Sequence, residues 1–212
     1  MAIEAGRGYR LEVGTALAAA ITVTAISKAN EAVVTATNTF ANGDFVMFGA
    51  VDGMTELSFL VARVKTVTGT NFVLEGVDST NWGTWSAGNC QKVTTFSTIS
   101  TATSIDFGAG SVDNLDATTL LDVTKQSLAG MIALPDVSVN LFTDYAQTVQ
   151  SYIDAQALLG NVLPFRAARA SGQRRCWAGI PSTVGESANV NQILSGSMSI
   201  IVRSTRYVKY NT

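Results

Sequence analysis

The sequence predicts a mainly β protein, in which short strands at barrel spacing are followed by a sheet that carries a single helix. Three observations predict it. Thr, Ser, Val, Ala and Gly are prominent in 212 residues that are 47% apolar and only 14% charged, a mix that favours sheet over helix. Short strands with frequent turns fill 21–75, and runs that alternate with a period of two follow at 93–100, 134–142 and in the closing stretch. One segment alone, 144–159, has a helical stripe with start and stop signals.

Residues 1–8 are small and polar, with Gly6 and Gly8 around Arg7, and predict a flexible arm before a first strand at 9–13. From residue 21 the chain reads as short strands at 21–27, 32–37, 45–48, 61–67 and 71–75. Asn42-Gly43-Asp44 and Asp52-Gly53 mark tight connections, because Asn, Asp and Gly tolerate the positive φ such turns require. Strands at this spacing predict a small barrel. Val33, Phe45, Met47, Val64, Val67, Phe72 and Leu74 are available to give it a private core, so the barrel is expected to fold by itself and to be dispensable.

The runs 93–100 (VTTFSTIS) and 134–142 (LPDVSVNLF) alternate, with Val137, Val139 and Leu141 facing one way and Ser138 and Asn140 the other. Between them, 101–118 is rich in Gly, Asp, Ser and Thr and reads as a long loop, too long to be idle. In the helix, Asp144 is the expected cap, Val149, Tyr152 and Ile153 form the apolar stripe, and Gly160 is the stop. Strands at 164–170 and 174–180 form a hairpin through Ser171-Gly172. The closing stretch 189–210 reads as one alternating strand, with Met198, Ile200 and Val202 on one face and Ser197, Ser199 and Arg203 on the other.

Charge and residue chemistry narrow the function classes. A net charge of −2 argues against broad electrostatic capture of nucleic acid. There is no histidine, no Ser or Cys has the base a triad needs, and no spacing selects two carboxylates as an acid and base pair. Gly6-Arg7-Gly8 and Gly108-Ala109-Gly110 read as turn glycines, since neither sits between a strand and a helix. No enzymatic activity, cofactor or metal is expected. Cys90 and Cys176 match no metal or redox spacing and are expected as reduced, partly buried thiols. The apolar run 16–26 is too short to span a bilayer, and Glu4 and Glu12 stand where a leader would be basic, so a strand is expected there. Trp82, Trp85 and Trp177 suit either sugar stacking or core closure, and core closure is the commoner use on small barrels.

The order of these elements is similar to that of the major tail tube protein family of long-tailed bacteriophages. An arm, a strand, a loop-bearing hairpin, one helix, the hairpin PFRAARASGQRRCWAGI and the strand SMSIIVRSTRYV carry the resemblance, over 1–20 and 93–212. The block AVVTATNTFANGDFVMFGAVDGMTEL with NFVLEGVDST resembles a small SH3-like barrel of the FCCH type, with Thr39-Phe40-Ala41 where that module carries a His-Gly pair. The implied organisation is a tail-tube β-sandwich with one flanking α-helix, formed by 1–24 and 92–212, and an inserted small β-barrel at 25–91. The resemblance implies hexameric rings stacked into a hollow tube, with the arm and the long loop contacting neighbouring rings. It also implies assembly in the host cytoplasm, a place in the virion tail, and tape measure, tail tip or initiator, and terminator proteins as partners. On the same resemblance, DNA is expected to pass through the lumen without specific binding, and no membrane is expected to be involved. The alternative is a tail-associated or surface β-protein that binds carbohydrate or a host receptor through the barrel.

Charge is unevenly distributed along the chain. Asp106, Asp113, Asp116, Asp122, Asp136 and Asp144 face Lys125 alone over 101–144, whereas seven cations face Glu186 alone from residue 161 onward. These halves either pair within one subunit or meet across subunit boundaries, where complementary charge sets register. On the second reading, Arg7, Arg10, Arg166, Arg169, Arg174, Arg175, Arg203 and Arg206 are candidates for contacts between subunits or rings. Asp106, Asp113, Asp116 and Asp122 are candidates for the lumen or the loop, since a conduit that gripped phosphate would slow its cargo.

Overall fold

A computed structural model describes residues 8–144, 146–169 and 172–211. After β1 (Arg10–Leu17), six strands close into a barrel: β2 (Ile21–Ile26), β3 (Val33–Ala36), β4 (Phe45–Phe48), β5 (Val61–Thr68), β6 (Asn71–Leu74) and β7 (Asn89–Thr98). They are ordered β2-β3-β6-β5-β4-β7, and β7 returns to β2 by pairing Cys90 with Ile21 and Asn89 with Thr22. Gly43 and Gly53 take φ of 95° and 80° in the turns the sequence marks.

The ten-residue β7 belongs to both halves of the fold. Its residues 90–93 pair with β4, and 93–98 pair with β1. From β1 the sheet continues through the remaining strands: β8 (Ala102–Asp106), β11 (Val137–Phe142), β12 (Leu163–Ala168), β13 (Gln173–Pro181) and β15 (Ser195–Val202), in the order β1-β12-β13-β15-β11-β8. β14 (Gly185–Ser187) pairs with β15, and β16 (Val208–Asn211) pairs with β13. β9 (Ser111–Asp116) and β10 (Ser127–Ala133) pair only with each other.

Period-two alternation lets β13 serve two cores at once. Trp177 points into the core formed with Leu11, Val139, Phe165 and Ile200, while Cys176 and Ala178 point into the barrel core. Val208 and Tyr210 of β16 join the same barrel core, Tyr210 meeting Phe45 edge-on at 5.3 Å. The barrel core is therefore not private, contrary to the expectation from its strands alone. Trp82 and Trp177 are both core residues, as expected.

The helix α1 (Thr148–Leu159) closes the second core with buried Ile153, flanked by Val149 and Tyr152. It begins at Thr148, after the predicted Asp144, because Asp144 forms a turn of its own in which Oδ1 accepts the Ala146 N–H. The buried Gln150 side chain then accepts the Asp144 N–H and donates to Thr101 Oγ1 and the Phe142 carbonyl, so the helix is tied to the sheet by a satisfied polar group. Gly160 ends the helix at φ 67°, as its position predicts.

Two further expectations are corrected. Residues 101–118 are not a loop: they contain β8 and β9. The closing stretch is two strands, because the N–H groups of Arg203 and Ser204 both donate to the Ala178 carbonyl and bend the chain between β15 and β16.

Candidate assembly interface

The β9–β10 hairpin projects from the sheet with its apolar residues uncovered. Val112, Leu115, Leu128, Met131 and Ile132 are exposed along its strands, and Leu120, Leu121 and Val123 are at least 92% exposed at its tip. Each such side chain gains about 1.5–3 kcal/mol on burial, so an uncovered cluster of this size marks a contact surface. The tip is folded by its own polar groups: Asp116 accepts from the Thr118 hydroxyl and N–H, and Asp122 from those of Thr119. These bonds hold both carboxyl groups below the usual aspartate range.

The hairpin root is held by aromatic packing. Phe107 meets Trp177 edge-on at 5.3 Å and Tyr207 at 5.6 Å, and Tyr9 at 6.5 Å closes the group. On the other side of the root, the Tyr207 hydroxyl donates to the Pro135 carbonyl. Gly108, at φ 50°, packs so closely that a Cβ there would lie 2.8 Å from the Pro135 ring.

The predicted arginines fall into three groups. Arg166 pairs with Glu12, 154 residues away, and lies 4.3 Å from the Phe96 ring and 5.2 Å from that of Phe45. Arg203 and Arg206 lie over Phe59 and Trp82 of the barrel at 5.5 and 4.7 Å. These three serve contacts inside the subunit. Arg169, Arg174 and Arg175 converge with Lys209, Tyr9 and Tyr210 on a cleft of about 370 Å³, and Arg175 also lies 5.1 Å from the Phe107 ring at the hairpin root. Arg10 is exposed and lines an adjoining groove of about 680 Å³ between the start of β1 and β8, which shares Tyr9 and Arg169 with the cleft. Arg7 lies outside the described residues.

The aspartates are divided as well. Asp113, Asp116 and Asp122 are all in the hairpin, and Asp106 ends β8, accepting the Gly108 N–H. β8 pairs with β11 on one side only, which leaves an open edge among the described residues. Outward from β8, β11 and β15 stand Ser104, Asp106, Ser138, Asn140, Ser197 and Ser199, hydroxyl and amide groups with one carboxylate. Asn140 donates to the Ser104 hydroxyl across them.

Sequence reasoning missed the apolar hairpin, and with it the contribution of Lys209 and Tyr210 to the cleft. One signal was available, since Leu120, Leu121 and Val123 lie together just beyond the segment 101–118 that reads as a loop.

A mainly β subunit with an open strand edge and an uncovered apolar hairpin carries surfaces suited to contact with other chains. The family model of the phage tail tube protein, TTP, matches residues 52–209, and the chain belongs to that family. It is a structural protein of the phage virion and a component of the tail. The match begins inside the barrel and takes in β5, β6 and β7 together with the sheet and helix that follow. No curated protein matches the chain.

Proposed function

We propose that the subunit polymerises into hexameric rings that stack into a hollow tube, through which DNA leaves the virion. The uncovered hairpin carries this reading: an isolated subunit leaves its apolar residues in water, and a neighbouring copy removes them. The open edge of β8 supports it, since an unpaired strand is satisfied by a strand of the next subunit.

In this arrangement the face of Ser104, Asp106, Ser138, Asn140, Ser197 and Ser199 lines the lumen, because it offers phosphate no cation to bind. Asp113, Asp116 and Asp122 act in contacts between copies, as do Arg169, Arg174 and Arg175. Residues 25–91 are an insert in the tube domain of 1–24 and 92–212, packed against β13 and β16. Assembly takes place in the host cytoplasm, with tape measure, initiator and terminator proteins as partners.

Sedimentation velocity over a wide range of concentration and salt tests the reading. Concentration-dependent growth into large polymers is expected, with or without added initiator. A monomer under all conditions contradicts it.

A further inference from the structure

We propose that the basic cleft is the seat for the acidic hairpin of a second copy of this chain, an inference that rests on the tube reading and adds the residue pairing to it. Arg169, Arg174, Arg175 and Lys209 line the cleft, and among the described residues no carboxylate does. The hairpin carries Asp113, Asp116 and Asp122 against Lys125. Within the subunit the two surfaces are not joined: among the described residues, the hairpin's ion pair is Asp116 with its own Lys125, at 3.8 Å. Charge left unmatched in one copy is matched by the next.

The cleft also holds donors without acceptors. Tyr210 is 4% exposed, and its hydroxyl, beside the Arg174 side chain, has no acceptor for its own proton. Arg174 Nε is buried without an acceptor. Buried donors left unpaired are costly, and a carboxylate seated here supplies the acceptor that both lack. The hairpin can supply one, since Asp122 binds Thr119 through Oδ2 and keeps Oδ1 for a partner. Its aromatic root holds it out from the sheet to do so.

A carbodiimide, which condenses a carboxylate with an amine in contact with it, is applied to an equal mixture of unlabelled and isotope-labelled full-length chain. Lys209 is expected to be joined to Asp113, Asp116 or Asp122 in peptides that combine the two labels. In parallel, Arg169→Glu with Lys209→Glu, and Asp113→Lys with Asp122→Lys, are each expected to reduce pelletable polymer by about tenfold or more. An equal mixture of the two variants is expected to regain it. Polymerisation unchanged in both variants, with no such crosslink, overturns the proposal, and the crosslink arm keeps it testable should a variant misfold. A cleft variant that polymerises normally but loses double-stranded DNA held by the unmutated chain on a filter makes the cleft a phosphate site, which also overturns it. Electron micrographs of the unmutated chain report on the tube separately: tubes without these crosslinks remove the seat and leave the tube, and crosslinked pairs without tubes do the reverse.

Discussion

The hydroxyl of Tyr207 donates to the carbonyl oxygen of Pro135 at 3.2 Å, which ties the root of the projecting hairpin to the bend between β15 and β16. Burial raises the Tyr207 pKa, so the group remains a donor at neutral pH. Tyr207→Phe keeps the ring packing and removes the bond. The expected loss is about 0.5–1.5 kcal/mol in denaturant unfolding, with faster amide exchange over 111–133. Unchanged exchange there contradicts this account of the root.

The apolar tip should matter to assembly and not to the subunit. Leu120→Ser, Leu121→Ser and Val123→Ser in one chain touch only exposed side chains, so subunit stability should change by no more than about 0.5 kcal/mol each. Polymer detected by pelleting should nevertheless collapse, since each side chain forfeits about 1.5–3 kcal/mol of burial at the contact. A subunit destabilised as much as the polymer places the tip in the fold instead.

Both thiols should be silent until the chain unfolds. Burial pushes Cys90 up to about 12 and Cys176 higher still, so almost no thiolate is present at neutral pH. Iodoacetamide should leave both unmodified in the folded protein and label both in guanidine, as read by mass spectrometry. Because the folded pKa lies above the ordinary value of 9.0, the linked stability is complete below 9 and is lost as pH rises through the folded pKa. A melting temperature that rises above pH 9 has the wrong sign for this account.

Removing the barrel should damage what it packs against. A Gly-Ser linker in place of 25–88 uncovers Cys176, Ala178, Val208 and Tyr210, and it opens the close contact in which a Cβ on Gly76 would lie 2.5 Å from the Lys209 carbonyl. It also removes the Glu56 carbonyl that accepts from Thr205 at 2.6 Å. Losing several buried contacts at once should leave β16 unprotected in hydrogen exchange and the variant prone to aggregation. A soluble variant with β16 still protected restores the picture of a self-contained insert.

What the sequence showed depended on whether a signal was local. Phe45–Phe48 and Gly160 were legible because turn chemistry and a helix stop act within a few residues. β9 was hidden because it is exposed along its whole length, so the burial that gives strands their alternation is missing. The bend after Val202 was hidden because the carbonyl that causes it belongs to Ala178 on a neighbouring strand. The same limit applies to the arginines. Arg166 and Arg174 are equivalent in a charge count, yet one meets Glu12 from the far end of the chain while the other enters the cleft.

Negative-stain electron microscopy of the purified, unmutated chain tests the central claim most directly. Stacked rings with six-fold symmetry around an open channel are the predicted result. Dispersed single subunits at every concentration, with no rings or tubes in the presence of tail initiator, contradict it.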